Sequence, residues 1–131
     1  MHDPDPSLAE IEDIARSALA QLPETFRAAV RDVALIVTDW PPAYILDEME
    51  IDEPLDLTGL YEGIPLTEKS SFDQPIGPDT VWLFRAPILA EWRNRGSVSL
   101  ADLVRHVVVH EFAHHLGWSD EDIATIDRWW D

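Results

Sequence analysis

HEFAHHLGWSD, residues 110–120, organises everything else in this chain. His110 and His114 stand four residues apart, so on a helix they share one face, separated by about 6 Å along the axis. Two imidazoles so placed converge on one metal ion at distances of about 2.0–2.1 Å. Glu111, one residue on and about 100° around the helix, flanks the ion without being forced into its ligand set, which suits a base acting on a metal-activated water. Gly117 can adopt the left-handed conformation that ends a helix and reverses the chain. Asp120 follows closely enough to bring its carboxylate back toward the imidazoles. His110, His114 and Asp120 with one open position make the ligand set of a catalytic zinc, so one zinc ion per chain is expected. A carboxylate leaves the site one unit less positive than a third histidine would, which weakens water activation.

The segments around the motif read as alternating helices and strands. Ser99 and Asp102 form a capping pair that opens a helix running from 100 to about 116. Upstream, 80–85 (TVWLFR) is a convincing strand, and Pro87 is placed to open a helix at its first position, with Gly96 breaking it. The run 33–39 (VALIVTD) is mostly β-branched and is stopped by Trp40, Pro41 and Pro42, which predicts a buried strand. Residues 57–66 (LTGLYEGIPL) predict a short strand or hairpin limb punctuated by Gly59, Gly63 and Pro65. Residues 67–79 predict a loop, and 43–58 an irregular acidic stretch with one helical turn. At the start, 1–6 reads as a frayed tail. Ser7 and Glu10 then cap a helix whose Leu8, Ile11, Ala15, Ala18, Leu19 and Leu22 recur at helical spacing, with Pro23 ending it. Phe26 and Val30 share a side of the short turn that follows, and Ser119 caps an acidic terminal helix. The expected fold is α+β: a compact single domain over 1–131, with a small mixed sheet packed against helices that include the histidine helix.

Composition narrows the chemistry. The chain has 131 residues, enough for one core. Cysteine is absent, so disulfides, thiolate metal sites and thiol nucleophiles are excluded together. Any metal must be held by imidazole and carboxylate. With 26 acidic against 9 basic residues the formal net charge is −17, which repels phosphate backbones and argues against nucleic acid as a partner. The same charge is ordinary for solubility and does not by itself indicate function. No apolar run is long enough for a membrane span. The acidic opening MHDPDPSLAEIED lacks a basic-then-apolar leader, so the cytoplasm is the expected compartment.

Other readings of the same residues compete. Two histidines on an apolar helix can be core residues satisfied by carbonyl groups, Glu111 a solvated helix glutamate, and Asp120 a carboxylate at a helix start favoured by the dipole. His106 lies one turn before His110 on the same stripe, too far along the axis to close a tetrahedron easily; it fits a supporting or buried-polar role. The six tryptophans are expected mostly in the core, with Trp118 a candidate wall of the site.

From HEFAHHLGWSD outward, the chain resembles the bacterial family of minimal zincin-like metallopeptidases, short acidic proteins with the pattern HExxHxxGxxD. The likeness extends through LPETFR at 22–27, VALIVTDWPP at 33–42, GLYEGIPLTEKSS at 59–71 and DTVWLFRAPIL at 79–89. It implies a zincin-like fold, ligand roles for His110, His114 and Asp120, and the base role for Glu111. Two departures from larger zincins stand out. The only methionines, Met1 and Met49, lie upstream, so no methionine turn underlies the metal, and 11 residues follow Asp120, too few for the subdomain that walls a peptide cleft.

The expected function is therefore a zinc-dependent hydrolase acting on peptide bonds in an unidentified peptide or protein substrate. An extended substrate is expected to pair with a sheet edge formed by 80–85, and Tyr61 and Arg85 are the candidate donors to the developing oxyanion. Two alternatives belong to other classes. One is a non-catalytic, zinc-stabilised interaction domain; the other is a metal-free module whose acidic face binds a basic partner.

Overall fold

The computed structural model describes residues 5–62 and 79–115. Ser7 caps the first helix, α1 (Leu8–Ala20), its hydroxyl accepting from the Glu10 amide at 3.1 Å. Ile11, Ala15 and Ala18 are buried along one stripe, and Leu22 continues it beyond the helix end. A short α2 (Glu24–Ala29) follows Pro23 and buries Phe26 beside Val30, as their spacing implies. Next come β1 (Ala34–Thr38), α3 (Ala43–Glu48), a 3₁₀ turn (Pro54–Asp56) and β2 (Gly59–Glu62). The described chain then resumes in β3 (Thr80–Phe84), α4 (Arg85–Arg95) and α5 (Leu100–His115).

The three strands form one mixed sheet in the order β1-β3-β2. β1 runs parallel to β3, with Ala34 opposite Thr80 and Thr38 opposite Phe84. β2 runs antiparallel to β3, with Gly59 opposite Leu83 and Glu62 opposite Thr80. Period-two alternation along β3 sends its side chains into two different cores. Val81 and Leu83 join α1 and α5 in the larger one, with Ile11, Leu103, Val104, Val108 and Phe112. Trp82 and Phe84 face the other way, toward Ile45 of α3 and Leu57. This is the α+β arrangement expected, with the histidine helix packed on the sheet.

Four details differ from the expectations. The strand at 80–85 is not an edge: β3 is central and both its sides are hydrogen-bonded, so no substrate strand can add to it. Instead β1 and β2 flank it. β1 is not fully buried, because it has a partner on only one side among the described residues and Ile36 is 37% exposed; Leu35 and Val37 face the core. Pro87 does not open α4. The helix starts at Arg85 directly from the strand, leaving the proline in the first turn, where a missing N–H still deprives the helix of no bond. Of the tryptophans at 40, 82 and 92, Trp82 and Trp92 pack against the two cores as expected, but Trp40 is well exposed. The loop expected at 67–79, apart from Asp79, and the terminal helix expected after Ser119 lie outside the described residues.

Gly96 ends α4 as expected, at φ +74° with no atom within 4 Å of where a Cβ would stand. Space is free there and the backbone conformation alone selects glycine. Gly96→Ala should therefore lower stability by about 1 kcal/mol, and Gly96→Asn by less, in paired denaturant melts. Equal stability of all three proteins would show that the turn relaxes without penalty.

Candidate metal centre

The rotation of α5 determines what the site can be. Ser99 accepts from the Asp102 amide at 3.0 Å and starts the helix. Leu103, Val104, Val107 and Val108 are buried against α1 and the sheet, which fixes the helix about its axis. His106, His110 and His114, each a turn further along, consequently fall on a stripe of intermediate burial.

On that stripe the nitrogen and oxygen donors of His110, Glu111 and His114 all lie within 4.8 Å of one another. The two imidazole rings meet edge to face, their centroids 4.6 Å apart and their planes at 69°. His114 Nδ1 stands 3.3 Å from Glu111 Oε1. The Glu111 side chain is only 13% exposed, whereas that of His114 is 39% exposed. The three residues singled out on this helix are thus brought together. Asp120, with Gly117 and Trp118, lies outside the described residues. His106 stands next to the cluster without belonging to it, its ring centroid 5.8 Å from that of His110. The donor set, two imidazoles and a nearby carboxylate with no thiol, fits zinc.

Glu111 is closer to the histidines than a purely flanking base requires, and the reason lies in β2. A Cβ on Gly59 would stand 2.7 Å from Val107 Cγ1, 3.1 Å from the Trp82 carbonyl oxygen and 3.3 Å from Glu111 Cγ. The strand therefore passes directly against α5 at the level of Glu111 and walls that side of the site. By sequence Gly59 reads only as punctuation. A glycine inside a strand pattern is, however, the ordinary sign of a close approach by another segment.

The two candidate oxyanion donors are engaged elsewhere. The Tyr61 hydroxyl donates to Asp79 Oδ2 at 2.9 Å. Burial, and then the hydrogen bond to Asp79 and the charge on its carboxylate, push the phenol well above its ordinary pKa, so Tyr61 remains protonated. Arg85 donates through Nε to the Pro6 carbonyl at 2.6 Å and through a terminal nitrogen to Asp39 at 3.2 Å. It ties the start of α4 to the N-terminal segment and to the end of β1.

Among the described residues no helix is long and apolar enough to cross a membrane. No curated protein sequence matches the chain. A family model described as zincin-like metallopeptidase does match, over residues 30–130. That span runs from just before β1 through the His110–Glu111–His114 cluster and beyond Asp120, and takes in most of the chain. The chain belongs to the zincin-like metallopeptidase family.

Proposed function

We propose that this protein is a zinc-dependent metallopeptidase in which His110, His114 and Asp120 hold the metal and Glu111 is the general base. The observation that carries the reading is the convergence of the His110, Glu111 and His114 donors within 4.8 Å on one face of α5. Family membership supports the same chemistry. Zinc held there supplies Lewis acidity toward a water and toward the carbonyl of the substrate. The Glu111 carboxylate accepts a proton from the attacking water as its oxygen bonds to the carbonyl carbon. It then delivers that proton to the departing amine as the carbon–nitrogen bond breaks. Partial burial against β2 holds the carboxylate in one place and limits its hydration, which suits a base that must transfer a proton twice. Its closeness to His114 orients it toward the ligand set. The substrate is a polypeptide, and the enzyme acts in the cytoplasm.

A second reading is favoured by one measurement. With Oε1 only 3.3 Å from His114 Nδ1, Glu111 is near enough to serve as a ligand itself. Two imidazoles and two carboxylates would then close the coordination shell and make a structural zinc site.

Purified protein assayed against a broad peptide mixture tests the proposal. Zinc near one per chain is expected, with cleavage that stops on chelation and returns on zinc addition. Asp120→Ala should lower zinc occupancy after dialysis while leaving the circular dichroism of the domain in place. Unchanged zinc affinity in that variant would remove Asp120 from the ligand set, and zinc without any cleavage would favour the structural site.

A further inference from the structure

On the other flank of α5 there is an open groove of about 380 Å³ between α1, α2 and β1. Leu19, Leu35 and Phe112 contribute to its apolar lining, and Arg16, Arg27 and Arg31 line it as well. These are three of only 9 basic residues in a chain with 26 acidic ones, so their gathering around one apolar surface runs against the overall composition. Arg16 lies 3.5 Å from Glu12 in an exposed pair, whereas Arg27 and Arg31 form no ion pair among the described residues. Phe112 faces this groove, while Glu111, the preceding residue, lies against β2 on the far side of the central strand. The groove is thus separate from the candidate metal centre.

We propose that this groove binds a small anionic amphiphile, a medium- or long-chain carboxylate, with its tail on the Leu19–Leu35–Phe112 surface and its head among the three arginines. The volume lies within the range of small-ligand pockets, and an apolar lining with a few charged groups is their usual chemistry. Guanidinium groups pair carboxylates through forked hydrogen bonds, which fixes the head while the tail is removed from water. The net charge of −17 decides between a small anion and an acidic peptide. Long-range repulsion grows with the charge of the incoming ligand, so a monoanion is repelled far less than a segment carrying several carboxylates.

Titration of the whole protein with sodium decanoate, below its micelle concentration and followed by amide chemical shifts, tests the proposal. Saturable binding is expected, with the shifts centred on α1, α2 and β1. Decanol should bind at least tenfold more weakly, and acetate should not bind measurably. Arg27→Gln combined with Arg31→Gln should weaken decanoate at least tenfold with an unchanged melting temperature, and Arg16→Gln alone should weaken it less. The proposal is overturned if decanoate does not saturate, if decanol binds equally well, or if the double variant binds as before. Shifts centred on His110 and His114, or saturation by an acidic peptide in place of decanoate, overturn it equally.

Discussion

Glu111→Gln is expected to lower peptide hydrolysis by about 10²–10⁴-fold while leaving zinc bound. The substitution changes almost nothing but the ability to take a proton. The amide has the shape of the carboxylate, so it fits the same narrow space beside Gly59, where the side chain is 13% exposed. Its carbonyl oxygen can still accept from His114 Nδ1, now 3.3 Å from the carboxylate. Packing and orientation therefore survive, and only the proton acceptor is lost. The two functional readings give opposite results for the metal. A base is not needed to hold zinc, so occupancy stays near one per chain. A ligand is needed, and a neutral amide is a much poorer one than a carboxylate, so zinc would be lost on dialysis. Parallel rate measurement and elemental analysis on the same preparation separate the two. Full activity in the variant would dismiss Glu111 as the base, and loss of zinc would replace the hydrolase with the structural site.

The features of the site that sequence reveals are those set by local spacing. A capping pair, an apolar stripe and two histidines four apart define α5 and the face it turns outward, because all of these depend on helical geometry alone. Lateral order in the sheet has no such local signature. The run 33–39 looks like a buried strand by its β-branched content, yet among the described residues β1 is paired on one side only and Ile36 is partly exposed. The central position of β3 leaves a subtler mark: Val81 and Leu83 alternate with Trp82 and Phe84, so no face of that strand is polar, as expected when both sides of a sheet are covered. Pro87 departs from expectation for a different reason. A proline is tolerated anywhere in the first turn, so its residue type does not fix its place there, and α4 grows without a break from Phe84. The commitments of Tyr61 to Asp79 and of Arg85 to Pro6 join residues 18 and 79 positions apart, separations that local pattern does not encode.

Gly59→Ala should destabilise the protein and impair the site together, although the added group is a single methyl. Two effects oppose each other. Gly59 is not at positive φ, so alanine is conformationally acceptable and restricts the unfolded chain, a gain of about 0.4–1 kcal/mol. Against this stands a contact of 2.7 Å with Val107 Cγ1, closer than real Cβ atoms come, and one of 3.1 Å with the Trp82 carbonyl oxygen. Neither neighbour yields easily, since a helical valine has essentially one rotamer and the carbonyl belongs to the central strand. Overpacking of this kind costs about 1–3 kcal/mol, so the net change is a loss of stability. The third contact, 3.3 Å to Glu111 Cγ, carries the disturbance into the site. Hydrolysis should fall with it, because the base moves. Val107→Ala removes the nearest obstacle but leaves a cavity of its own. Combined with Gly59→Ala it should therefore lose less stability than the two single variants summed, with a coupling of about 0.5–3 kcal/mol and a partial return of activity. Strict additivity in that cycle would mean that β2 does not press on α5 at Glu111, and the wall assigned to the site would have to be sought elsewhere.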